Sequence, residues 1–260
     1  MVPLSSSIIV TGAFVLTRLT GMIVSMPILN TRLVPTMHKI ILAILLTIII
    51  TPVVPQLDAQ LTLNQILGGV MAEFLLGVLM GGVVTLVFSA LDFAGAIISM
   101  NIGQAAARAF NPAFMVQSSP AGMLALYMSY GIFLGADLHL VMLKTLANSF
   151  QPLPPFEIAD PLSGAYLWVD YSSLVFEAGL QLAAPIIVMV LMINTFIAIM
   201  AKIAPTMNMF FSVGFIMSMF LGLILFTFML PSMLYMMHTI IEEVILNLDR
   251  ITDLAGGQGG

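Results

Sequence analysis

Between Glu177 and Glu242 the chain carries a single Asp, Glu, Lys or Arg, Lys202. A stretch so poor in charge cannot coat a water-facing surface, and at the centre of a bilayer each charge costs roughly 2.5–3.5 kcal/mol on insertion scales. The whole sequence follows suit: 60% of residues are hydrophobic and 7% charged, against roughly 25% charged in a soluble domain. The chain therefore belongs in a membrane or a membrane complex. Its 260 residues suit an all-α bundle of about six or seven apolar helices at ~20 residues each, with no room for a sizeable extramembrane domain.

Several function classes drop out. The net charge of −5 is diffuse and no basic run exists to track a phosphate backbone, so a nucleic-acid partner is excluded. Without cysteine there is no disulfide, thiolate metal site or cysteine nucleophile. No nucleotide loop, GxSxG or HExxH motif occurs, so neither an enzyme nor a cofactor is expected. Asp137 with His139, and His238 with Glu242, fall short of the three or four ligands a metal needs. The N-terminus has no basic n-region, and Arg18 interrupts its apolar stretch, so it reads as a retained first helix. Residues 255–260 read as a flexible tail outside the fold.

Along the chain, apolar periodicity predicts helices over residues 8–29, 40–51, 64–91, 121–148, 174–201 and 208–238. The helical pattern of the third runs on past Asp92 and Gly95 to about Ile102, and a last apolar stripe contains Ile241, Val244, Ile245, Leu248 and Ile251. Prolines 52 and 55 leave the second helix short for a span, so a tilted or half-buried hairpin arm is as good a reading. In the third, glycines 68, 69, 77, 81 and 82 allow close approach of a neighbouring backbone. Tyr166, Trp168 and Tyr171 beside the acidic connection after residue 150 suit a membrane–water boundary. Arg32 and Lys39, Arg108 and Lys202 fall in alternate connections, which by the positive-inside rule face the cytoplasm.

Charges at membrane depth are the first functional candidates: Arg18, Glu73, Asp92, Asp137 with His139 beside it, and Lys202. They form either a proton relay or a set of pairs, helix caps and partner contacts; spacing alone assigns no pairing. A second candidate is AFNPAFM, residues 109–115, where Met and Phe occur in a loop with no helical core to fill. Irregular backbone at that depth is tolerated only when buried in protein or lining a cavity, which suggests a plug or gate.

The order of features resembles the FliR family of flagellar and virulence type III export gates over about residues 8–235. RLTGMIVSMPIL with VPTMHKIILAILLTIIITPVVP resembles the family's opening helix pair, and AEFLLGVLMGGV its Glu- and Gly-rich third helix. GADLHLVMLKTLANSFQPLP resembles the segment with a His near a helix end and a Ser-Phe before a proline loop. The most specific stretch places Pro185, Pro205, Asn208, Gly214 and Pro231 as the family does. One departure is Lys202, where the family pattern leads one to expect Arg; a lysine cannot supply a bidentate guanidinium contact.

The resemblance implies an all-helical, non-enzymatic subunit, present once in a helical, cone-like complex with FliP and FliQ, alongside FlhB and FlhA. That complex would pass unfolded flagellar proteins through the bacterial inner membrane at the basal body. It further implies a FliP-like part over 1–173, with a plug loop at 104–120 formed by Arg108, Phe110, Asn111, Pro112, Phe114 and Met115. A FliQ-like hairpin and C-terminal helix would occupy 174–254, with Lys202, Pro205 and Asn208 at the hairpin tip. Two rivals remain: a small secondary transporter coupled through Glu73, Asp92 and Asp137, and a structural membrane anchor without a pore.

Overall fold

Apolar runs punctuated by proline, glycine and asparagine become seven α-helices among the residues that the computed structural model describes, 6–31, 34–56, 62–102, 120–156, 165–203 and 214–246. They are α1 (Ser6–Ser25), α2 (Thr36–Ile50), α3 (Leu63–Asn101), α4 (Pro120–Gly135), α5 (Leu138–Asn148), α6 (Ala165–Ile203) and α7 (Phe215–Leu246). Four of these, α1, α3, α6 and α7, are long and apolar enough to cross a membrane, and α4 with α5 form a bent pair that would count as a fifth span. No strand occurs among the described residues.

Three helices differ from the periodicity reading. Residues 121–148 form two helices, because Asp137 adopts a left-handed conformation at φ 56° that no continuing helix permits. The third helix, by contrast, runs on past Asp92 and Gly95 as its pattern indicated, in one 39-residue rod. Helix α6 begins at Ala165, earlier than the Ser-Ser-Leu edge at 174, so Trp168 and Tyr171 are helical. The Trp168 Nε1 donates to Leu79 O at 3.2 Å and its ring lies on Gly82 of α3. His38 and Lys39, expected in a loop, stand in the first turn and a half of α2. Pro185 and Pro231 lie inside helices α6 and α7, which continue through them.

The chain divides into two compact units. The first comprises residues 1–86, 134–172 and 240–260, with Phe14, Val15, Leu19, Leu76, Met80, Met142 and Leu146 in its core. Here α1 and α3 run against each other through small residues. A Cβ at Gly77 would stand 2.1 Å from Arg18 O, one at Gly21 2.4 Å from Phe74 O, and one at Gly81 2.6 Å from Met22 O. These distances demand glycine, and the i, i+4 spacing of 77 and 81 presents one face to α1. Gly69 is held as closely by the rings of Phe14 and Phe156, whereas Gly68 faces open space and owes nothing to packing.

The second unit comprises residues 87–133 and 173–239. Phe88 anchors it, with ring centroids 5.2 Å from Tyr130 and 5.7 Å from Phe133, while Phe93 meets Phe176 edge-on at 5.3 Å. Gly179 accepts the Phe93 ring, and Gly222 accepts the side chain of Ile102. Gly214, just before α7, lies against Ile197 near the end of α6.

Candidate functional site

Arg18 sits on a helix whose neighbours Phe14, Val15, Leu19 and Met22 are all buried, so its guanidinium has no route to water and is itself fully buried. A buried cation persists only when its donors are met. Glu73 of α3, also fully buried, supplies the counter-charge: Arg18 Nε donates to Glu73 Oε2 at 2.6 Å. Nη1 donates to Ser149 Oγ at 3.0 Å and Nη2 to Leu153 O at 3.1 Å. The guanidinium carbon lies 4.0 Å from the centroid of Phe150, a cation–π contact. On the other side, the Phe156 N–H donates to Glu73 Oε1 at 3.0 Å, so both carboxylate oxygens accept.

This node ties three parts of the first unit that are distant in sequence. Glu73 continues the α3 face of Gly69, Gly77 and Gly81 at steps of four residues, and α1 approaches close enough along that face for Arg18 to reach it. The segment after α5 turns back over the pair through Ser149, whose hydroxyl also donates to Leu146 O at 2.7 Å. What the arrangement does chemically is hold geometry: each guanidinium nitrogen of Arg18 donates at least once and both oxygens of Glu73 accept. Removing one member of such a pair costs about 3–5 kcal/mol, because the survivor stays buried and uncompensated.

The other charges are not brought to this site. Asp92 is an exposed residue of the second unit, Asp137 an exposed residue preceding α5, and Lys202 an exposed residue in the last turn of α6. His139 is half-buried, and its Nδ1 is buried without a hydrogen-bond partner among the described residues. No three His, Asp or Glu side chains come together as a metal site among those residues. The plug positions Arg108, Phe110, Asn111, Pro112, Phe114 and Met115 lie outside the described residues, as do Pro205 and Asn208. Sequence reasoning missed Ser149, Phe150 and the backbone groups of Leu153 and Phe156. The one available signal was the run NSFQPLPPF, where a hydroxyl and aromatics flank prolines that keep the backbone from being spent in a helix.

Long apolar helices, close glycine-mediated helix contacts and a saturated internal ion pair define a polytopic membrane protein held together from within. The comparisons make the class specific: the profile of the bacterial export proteins, family 1, matches residues 9–244, and the chain belongs to that family. It is 30% identical to the flagellar biosynthetic protein FliR of Caulobacter vibrioides over 82% of this chain and 85% of that one. To FliR of Pectobacterium carotovorum it is also 30% identical, over 92% and 91% of the two chains. A shorter match, 31% identical over 53% of this chain and 54% of the other, joins it to the Yop proteins translocation protein T of Yersinia pestis.

Proposed function

We propose that this chain is a core subunit of the flagellar type III protein export gate, forming with FliP and FliQ the channel through which unfolded flagellar proteins leave the cell. The observation that carries the reading is the family match across residues 9–244, together with FliR relatives that align over more than four-fifths of both chains. The translocation-protein relative from Yersinia supports a shared export chemistry across motility and virulence systems.

A physical argument supports partner subunits. On α6 exposed apolar side chains recur between Phe176, 62% exposed, and Ile203, 70% exposed. At 1.5 Å per residue that face is about 40 Å long. A hydrocarbon layer of ~30 Å covers such a face only at a tilt near 40°, the upper end of what helices adopt. Protein covers it without that demand, and FliP, FliQ, FlhB and FlhA are the partners the family implies. In this reading the chain is present once per complex in the bacterial inner membrane at the basal body. Residues 1–173 take the FliP-like role and 174–254 the FliQ-like one, with Lys202, Pro205 and Asn208 at the hairpin tip. Lys202 then meets partner carboxylates, headgroups or cytoplasmic water.

The loop at 104–120 is assigned the plug, with Phe110, Phe114 and Met115 occluding the closed pore, Asn111-Pro112 shaping the turn, and Arg108 at its edge. Deleting residues 108–116 should let ions or small solutes leak through cells that still assemble the complex; a membrane as tight as the parent's removes the plug assignment. The function itself is tested by removing the whole chain: flagellar proteins should cease to appear in the medium, with small-solute uptake unchanged. A transporter would give the reverse. Its proposed coupling set is already depleted, since both oxygens of Glu73 are engaged by Arg18 and the Phe156 N–H.

A further inference from the structure

The first unit contains a second feature that the export reading does not use. Between α1 and α2 lies a cavity of about 340 Å³, with Leu16, Thr20 and Val24 on one wall and Lys39, Ala43 and Ile44 on the other. Its lining is mostly apolar, with Thr36 and Lys39 as polar members towards the α2 N-terminus; Thr20 Oγ1 donates to Leu16 O at 2.7 Å and leaves its methyl group to the groove. Buried Ala43 supplies the floor, and Ile44, 46% exposed, leaves the groove open along one side. From Val24 to Leu16 the wall is about 12 Å long, eight residues at 1.5 Å each. Lys39 stands towards the α2 N-terminus, at the end shared with Val24, and forms no ion pair among the described residues.

We infer that this groove binds an anionic glycerophospholipid, one acyl chain lying between α1 and α2 and the headgroup phosphate meeting the Lys39 ammonium. Charge and shape both select this occupant. A soluble anion has no use for a 12 Å apolar slot, and an uncharged lipid leaves the lysine unmatched at the slot's end. Arg32, His38 and Lys39 make this connection basic, and by the positive-inside rule it faces the leaflet richest in anionic lipid. Helix α2 has 15 residues, too few to span alone. A lipid seated beside it fills the gap that a full-length helix would occupy.

The test uses the full chain in its purified complex, stripped of lipid and titrated with phosphatidylglycerol or phosphatidylcholine of identical acyl chains. Bound lipid is counted by native mass spectrometry. The parent should retain phosphatidylglycerol about fivefold better, the discrimination expected of one lysine at a headgroup. Lys39→Gln should bring phosphatidylglycerol down to the phosphatidylcholine level, Ala43→Phe should abolish retention of both at this site, and Thr20→Val should change neither. Equal retention of the two lipids by the parent, or undiminished phosphatidylglycerol retention in Lys39→Gln, overturns the assignment. Lys39→Gln alone decides the matter if Ala43→Phe fails to assemble, because Lys39 forms no ion pair among the described residues. Export of flagellar proteins is read separately, so a failure here does not bear on the export function.

Discussion

Helices α3 and α7 are about equally apolar, yet 67% of residues in the most apolar window of α3 are buried and only 22% in that of α7. The difference lies in what interrupts the apolar surface. α3 carries Gly69, Glu73, Gly77 and Gly81 on one face, which lets α1 come close and locks it with a charge pair. α7 presents Phe220, Ile224, Phe228 and Tyr235 outward, large side chains that stay at least half exposed among the described residues. Hydropathy identifies both as membrane helices; small and charged residues mark the one whose contacts are internal, and bulky apolar residues mark the one that must be covered from outside.

The contrast breaks most decisively at Gly77. Gly77→Leu places a Cβ 2.1 Å from Arg18 O, backbone against side chain with nowhere to move. The loss should exceed about 4 kcal/mol, the range reserved for core disruption, and appear as failure of the chain to accumulate in membranes. Normal accumulation would mean that α1 and α3 are not in contact.

Next in size, Arg18→Met leaves Glu73 buried and unpaired and should destabilise the chain by about 3–5 kcal/mol in micelle denaturation. The double variant Arg18→Met, Glu73→Leu should recover most of that loss, since well-packed apolar replacements of buried pairs are often neutral. A double variant as unstable as the single would show that Ser149, Leu153 O and Phe156 matter more than the charge pair.

The smallest effect on the chain itself is expected at Phe228, 79% exposed on α7. Phe228→Ser should alter the stability of the isolated chain by no more than about 0.5 kcal/mol, the usual range for surface positions. Assembly with partner subunits should fall by contrast, read as the fraction of chain recovered in the complex. Unchanged assembly would assign that part of α7 to lipid.

The all-helical class was legible because 60% hydrophobic residues and so few charges leave no other solution. The place of Lys202 was legible too: it stands in the last turn of α6 as described, where a cation suits the macrodipole. The break after residue 135 was not, since Gly-Ala-Asp is compatible with a helix until tertiary structure holds Asp137 in the left-handed region. Pairing of Arg18 with Glu73 was equally hidden. Both were visible as costly charges, but they are separated by 55 positions, and only the close approach of α1 to α3 brings them together. Four of the five glycines read from the sequence meet a close neighbour, whereas Gly68, identical in sequence terms to Gly69, turns out to face open space.

The central claim is that this chain functions as one subunit of an export gate built with unlike partners. Its most direct test is co-expression with FliP and FliQ, followed by mass measurement of the intact, detergent-released complex. The account predicts a homogeneous assembly whose mass includes one copy of this chain. A homogeneous FliP–FliQ assembly lacking it, with this chain purifying alone as a stable homo-oligomer, would contradict the claim.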